Sequence, residues 1–229
     1  MIRYAKLSLP FDADLTQSEL LTIKQEWLPH FNTAYYEGGW SGIALRSAEG
    51  KHTNIIPELM GVPEYRDTIY MSRFPSVIKL LSVLACPIMS VRFLNLQSGA
   101  IIKEHTDEGL LFEQNEVRLH FPVFTNPGVE FYIDGERVVM NVGDCWYMNA
   151  HLPHRVVNKG TADRIHLVVD CNVNEWLKEL VESSAMISIK EDGLNPELLL
   201  IIQELRLQNT TTSNALADDM ERQLNKDHV

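Results

Sequence analysis

From residue 89 to residue 171 the chain is a series of short segments in which apolar and polar residues largely alternate. They read MSVRFLNL, AIIKEH, EVRLHFPVF, VEFYI, RVVM, CWYM, HRVV and RIHLVVD. Turn residues punctuate them at Ser98-Gly99, Asn126-Pro127-Gly128, Asp134-Gly135, Asn141–Asp144 and Asn158–Gly160. A period of two in short runs at this spacing predicts the antiparallel strands of a sandwich or barrel. Asp134-Gly135, between VEFYI and ERVVM, is the sequence of a two-residue hairpin turn.

The flanking segments have other periods. Residues 1–88 mix a strand over Arg3–Leu9 with a helix that opens at Thr16. There Glu19 completes a capping box, and Leu20, Leu21, Ile23, Trp27 and Leu28 follow at helical spacing. Residues 38–50, GGWSGIALRSAEG, read as a strand between glycine turns, and Pro75–Leu84 as a helix. Residues 172–229 read as helical. One helix is capped by Asn172 or Asn174, another is opened by Asn195-Pro196, and a polar tail ends the chain. The expected architecture is mainly β: N-terminal α/β elements over 1–88, a β core over 89–171 and a C-terminal helical extension over 172–229. The apolar helix Leu198–Leu207 would pack on the core or on a second subunit, so a homodimer is one expectation.

Charge narrows the choice of partner. Acidic residues outnumber basic ones by 31 to 20 in 229 residues, for a net charge of −11. No Lys/Arg cluster stands out, which argues against nucleic acid and against an anionic membrane surface. Cys86, Cys145 and Cys171 form no CxxC pair, so neither a disulfide framework nor a thiolate zinc site is expected. The N-terminus lacks the pattern of a signal peptide, and the longest apolar stretch, Val83–Met89, is too short to span a bilayer. A cytoplasmic protein is expected.

The segment with the most chemistry is His105-Thr106-Asp107. On an extended backbone, residues two apart project to one face, so an imidazole and a carboxylate can grip one ion. His154 is the best distant third ligand. Two histidines and a carboxylate make the facial triad of non-haem Fe(II) oxygenases. HxD is short, and the same residues in ordinary hydrogen bonds at a strand end are the competing reading. Arg164 follows His154 by ten residues across the Asn158–Gly160 turn. A five-residue hairpin loop would place His154, Arg164 and His166 on one face, whereas a four-residue loop would turn Arg164 away. An inward guanidinium needs an anion, for which a carboxylate is the natural partner. The alternative is a surface pair with Asp163 or Asp144. Arg118 and His120 alternate on EVRLHFPVF and point together, away from Leu119 and Phe121. They form either an outward polar face or donors for a small dicarboxylate. His151 reads as a rim residue, His30, His52 and His228 as ordinary histidines, and Trp146 and Tyr147 as core.

The stretch from Met89 to Cys171 resembles the aspartyl/asparaginyl β-hydroxylase family, and bacterial proline hydroxylases are similar in the same region. HxD, RLH, TNP, the G-[DE]-x-W-Y turn, PHxVxN and DRIHLV occur in the family's order. Before it, YYEGGWSGIALRS carries a weaker likeness. The resemblance implies a double-stranded β-helix, a cupin-like jelly roll. It also implies an enzyme using Fe(II), O2 and 2-oxoglutarate to hydroxylate a C–H bond, releasing succinate and CO2. It assigns His105, Asp107 and His154 to the metal, Arg164 to the distal carboxylate of 2-oxoglutarate, and Arg118 and His120 to its chelating end. Some peptide-acting members lack the carboxylate ligand, so Asp107 points to the small-molecule branch and an amino-acid-like substrate. Tyr36, Trp40 and Arg46 would line a lid, with Gly38, Gly39 and Gly42 allowing it to move. The competing readings are a peptidyl aspartyl/asparaginyl β-hydroxylase and a cupin-like metal-containing binding module without oxygenase activity.

Overall fold

A computed structural model describes residues 1–23, 26–56, 64–107, 110, 112, 115–189 and 196–226. Five strands precede the central segment: β1 (Ile2–Leu7), β2 (Leu28–Pro29), β3 (Tyr36–Glu37), β4 (Trp40–Ala48) and β5 (Tyr65–Asp67). The segment itself forms β6 (Ile88–Leu96), β7 (Ile101–His105), β8 (Glu116–Phe124) and β9 (Val129–Ile133), then β10 (Glu136–Val138), β11 (Cys145–Met148), β12 (His154–Asn158) and β13 (Arg164–Asn172). A last strand, β14 (Met186–Ile189), follows. The helices are α1 (Ala13–Leu20), α2 (Pro75–Val83), α3 (Glu175–Glu182), α4 (Pro196–Gln208) and α5 (Thr211–Lys226).

Strands β6–β13 distribute between two antiparallel sheets. One runs β14-β1-β11-β8-β13-β6-β4-β2, with β5 on β4, and the other runs β10-β9-β12-β7-β3. Within them, β11-β8-β13-β6 faces β10-β9-β12-β7, which is the jelly roll that the sequence led us to expect. The Asp134-Gly135 hairpin forms, with positive φ at both residues (48° and 79°) as a type I′ turn requires. The expected hairpin between β12 and β13 does not. Those strands lie in different sheets, because a jelly roll sends the chain across the sandwich at this corner. N-terminal strand β4 pairs with β6 within the larger sheet, and β14 pairs with β1 at its edge.

The larger sheet has two buried faces. Its outer face packs Phe93, Phe121, Tyr147 and Leu167 against Leu20 of α1, Val77 and Leu80 of α2, and Leu177 of α3. Its inner face contributes Leu94, Leu96, Trp146 and Val168 to a second core, closed by Ile102, Phe131, Ile133 and Val156 of the smaller sheet. Trp146 and Tyr147 are therefore both core, one on each face.

Helix α1 starts earlier than the capping box suggests. Asp12 caps it by accepting from Leu15 N, and Thr16 lies inside the helix with its hydroxyl on Asp12 O. Glu19 instead reaches the first turn of α2 and accepts from Ser76 N at 3.1 Å. Residues 2–189 form one compact unit. In the other, α4 and α5 are linked by Arg206, which pairs with Asp218 and Glu221. Asn195 and His228 lie outside the described residues. Among the described residues no helix is long and apolar enough to cross a membrane.

Candidate metal centre

Strands β7 and β12 are neighbours, and His105 stands directly opposite His154 in their register. The register slips between His154 and Val156, so β7 carries one extra residue there. Strict alternation would put Ile102 and His105 on opposite faces. The bulge turns both inward. The two imidazole centroids are 4.3 Å apart. Each Nδ1 donates to the carbonyl two residues upstream, His105 to Lys103 O at 2.8 Å and His154 to Leu152 O at 2.9 Å. With Nδ1 so engaged, each Nε2 keeps a lone pair for a ligand, the tautomer a metal site requires. Burial, then the neighbouring His105, pushes His154 down to about 4, so it is neutral at neutral pH.

Asp107 lies just beyond β7, and its N–H donates to Ala150 O at 2.8 Å. Asp107 Oδ1 is 3.7 Å from His105 Nε2. Ligand atoms of His105, Asp107 and His154 all lie within 4.8 Å of one another. Burial pushes the Asp107 carboxyl up, but Arg118 and the two histidines outweigh it and hold it below the usual range. Two imidazole nitrogens and one carboxylate oxygen converging from three sides suit Fe(II) or a similar divalent ion.

The larger sheet supplies the opposite wall. Arg118 and His120 do point together, into the sandwich, while Leu119 and Phe121 join the outer core. Arg118 is spanned by two carboxylates: Nε donates to Asp170 Oδ1 at 2.8 Å and Nη1 donates to Asp107 Oδ2. Arg164 differs. It is 3% exposed, and among the described residues it has no carboxylate within ion-pair distance. Its Nη2 donates to His166 Nδ1 at 2.8 Å, and its Nε has no partner. Burial pushes Arg164 down to about 9. His120 Nδ1 is a second buried atom without a partner, and burial holds that ring neutral. Arg118, His120 and Arg164 line one pocket of about 530 Å³ together with His105, Asp107 and His154; it opens to solvent and is walled by Trp40, Leu94, Ile102, Phe131 and Met148. His154 and Arg164 thus share this pocket by facing each other across the sandwich, not by sharing a hairpin face.

A family model described as Aspartyl/Asparaginyl beta-hydroxylase matches residues 13–173, well over half of the chain. The chain belongs to this family. Among curated proteins, an L-proline cis-4-hydroxylase of Rhizobium meliloti (strain 1021) is 25% identical over 191 residues, 81% of this chain and 66% of that protein. The chain therefore spans slightly under two thirds of that relative's length. Among solved structures, an oxidoreductase of the 2OG-Fe(II) oxygenase family from Burkholderia pseudomallei aligns with a TM-score of 0.50 at 13% identity. The alignment covers 74% of this chain and 85% of that one, a likeness of fold.

In this family member the residues expected to form a lid are divided. Trp40 lines the pocket, with His30 stacked on its indole at 3.6 Å. Tyr36 packs edge-on against Trp40 and donates its hydroxyl to His30 O. Arg46 is away from the pocket and pairs with Asp67 at 2.8 Å. Gly38 and Gly39 serve close approach: a Cβ on Gly38 would lie 3.0 Å from Ala100, and one on Gly39 2.0 Å from the Gln97 side chain. Sequence reasoning missed Tyr35, whose ring stacks on His105 at 5.3 Å. It also missed Ser90, Arg92 and Asp170, which sit at inward positions of β6 and β13. Charged residues at alternate places in otherwise apolar strands were the available signal.

Proposed function

We propose that this chain is an Fe(II)- and 2-oxoglutarate-dependent dioxygenase that hydroxylates a C–H bond of an amino-acid-like substrate. The observation that carries this reading is Arg164, a buried guanidinium without an acidic partner among the described residues, in the same pocket as the His-Asp-His group. A metal-binding barrel has no need of such a cation. A cosubstrate with a free carboxylate at one end and a chelating keto acid at the other does.

His105, His154 and Asp107 would hold the ion. Arg164, steadied by His166, would take the distal carboxylate of 2-oxoglutarate through its fork of donors. His120, neutral and without a partner at Nδ1 among the described residues, would offer the cosubstrate a hydrogen bond. Fe(II) with 2-oxoglutarate and O2 would supply the oxidising chemistry when bound, one oxygen atom of O2 going to the substrate and the other into the succinate formed with loss of CO2. The apolar walls and Trp40 exclude water and orient the substrate. An amino-acid-like substrate is supported by the name of the proline hydroxylase relative and by the presence of Asp107.

The test is an anaerobic titration of the protein with Fe(II) and then 2-oxoglutarate, followed by visible absorbance. Oxygen is then admitted with a panel of free amino acids and Asp- or Asn-containing peptides. We expect a free amino acid to gain one oxygen atom by mass, with matching succinate. Product from peptides alone moves the reading to a peptidyl hydroxylase. Metal binding without 2-oxoglutarate binding or succinate leaves a binding module.

A further inference from the structure

Asp107 stands outside its strand, with a side chain 31% exposed, yet its carboxylate is tightly placed. Arg118 Nη1 donates to its Oδ2, and Arg118 is itself anchored from behind. Asp170, directly across from Arg118 in the β13–β8 register, accepts from Arg118 Nε at 2.8 Å. The other oxygen of Asp170 accepts from Arg92 Nη1 at 2.7 Å and from the Ser90 hydroxyl at 2.8 Å. Asp170 is 1% exposed and Arg92 3%. The chain of contacts therefore runs from β6 through β13 and β8 to the edge of the metal pocket.

We infer that Asp170 is a positioning residue for Asp107, acting through Arg118, and that this relay limits Asp107 to one-oxygen coordination. The inference rests on the reading of His105, Asp107 and His154 as metal ligands. Oδ2 of Asp107 is committed to the guanidinium, while Oδ1 faces the histidines. A charge-assisted bond to one carboxylate oxygen fixes that oxygen's direction and draws off its electron density, which disfavours its turning to an ion beside the other. Arg118 can hold this position only while its Nε edge is pinned, because an arginine side chain is otherwise free to rotate. Asp170 supplies the pin, and Arg92 and Ser90 fix Asp170. With Asp107 using one oxygen, one more metal position stays free for exogenous ligands. Arg118 thus acts on the metal through its carboxylate ligand, a role distinct from direct contact with the cosubstrate.

A purely structural ion-pair network would move stability and leave metal binding alone. The test uses Co(II), a divalent ion visible by absorbance, titrated into the full chain without cosubstrate. The main variant is Arg92→Met with Asp170→Asn, which removes one charge of each sign together, the change a buried pair tolerates best. We expect it to fold by circular dichroism, to bind Co(II) at least tenfold more weakly than wild type, and to show an altered Co(II) spectrum. In an Asp107→Ala background the same pair of changes should cause no further loss, since the relay then has nothing to position. Unchanged affinity and spectrum in a folded variant overturn the inference alone. Equal losses with and without Asp107 also overturn it. Wild-type protein that binds no Co(II) overturns the metal reading, and the inference with it. If the double variant does not fold, Arg118→Lys decides by the same two readings. Lysine keeps the charge but cannot fork between two carboxylates.

Discussion

Arg118 and Arg164 lie on adjacent strands of one sheet, point the same way and are both buried, yet among the described residues one touches two carboxylates and the other none. Burial opposes charge at both. At Arg118 the two acids outweigh it and raise the group, whereas at Arg164 burial acts alone. We therefore expect Arg164→Lys to raise the 2-oxoglutarate KM at least tenfold, about 1.4 kcal/mol of binding. Fe(II) affinity should stay unchanged, and titrating each ligand separately checks both halves. Asp107→Ala should weaken Fe(II) binding at least tenfold and reduce succinate formation to near background. Undiminished succinate output from that variant would show that the two histidines suffice. The joint inward placement of Arg118 and His120 was legible in the chain because alternation is a local property, whereas the hairpin argued for Arg164 does not form. The Asp170 relay was not legible, since the contacts that define it cross three strands, and sequence spacing does not reveal which strands adjoin.

The corner between β12 and β13 is built from polar groups where two sheets part, with Asn158 and Asn95 buried. Asn158 Nδ2 donates to Leu96 O at 3.1 Å and to Ala162 O at 2.9 Å, and its Oδ1 accepts from Gly160 N at 3.2 Å. Asp163 accepts from Ser98 N at 3.0 Å and from the Asn95 amide at 3.0 Å. These bonds set where β13 begins and hence where Arg164 starts. Asn158→Ala leaves the buried Leu96 carbonyl and several part-buried partners unsatisfied and should cost about 2–4 kcal/mol, measurable by urea unfolding. It should also raise the 2-oxoglutarate KM, because Arg164 loses its fixed origin. This is the place where the sequence misled. A short loop of Asn, Gly and Asp suits a hairpin as well as a crossing, and the decision rests on the distant pairing of Arg164 with Leu96. The bulge in β7 was equally hidden, since one extra residue becomes visible only against the partner strand. The Asp134-Gly135 hairpin was legible because both strands and the turn are contiguous.

The molecule buries several histidines in neutral form, which ties its stability to pH. His30 and His154 are each lowered to about 4, chiefly by burial, and His120 and His166 fall well below their ordinary range for the same reason. Between the unfolded value of about 6.5 and these folded values, the unfolded chain binds more protons than the folded one. Stability is thus full above about pH 6.5, declines as pH falls, and the loss from His30 and His154 is complete only below about 4. Metal-free protein should lose roughly 3–5 °C of Tm per pH unit for each histidine that must charge, which calorimetry from pH 7 to pH 4.5 would detect. A flat Tm across that range would mean that these rings are solvated. The nine-stranded sheet, with one face under the helices and the other shared between the inner core and the pocket, has a consequence for how the protein can change. On β13, Leu167, Val169 and Cys171 serve the outer core, while Arg164, His166 and Asp170 serve the pocket. Neighbouring codons therefore answer to different selection pressures. Mutational drift at the pocket-facing places of such strands can retune what is bound, while the intervening places go on being filtered for folding alone.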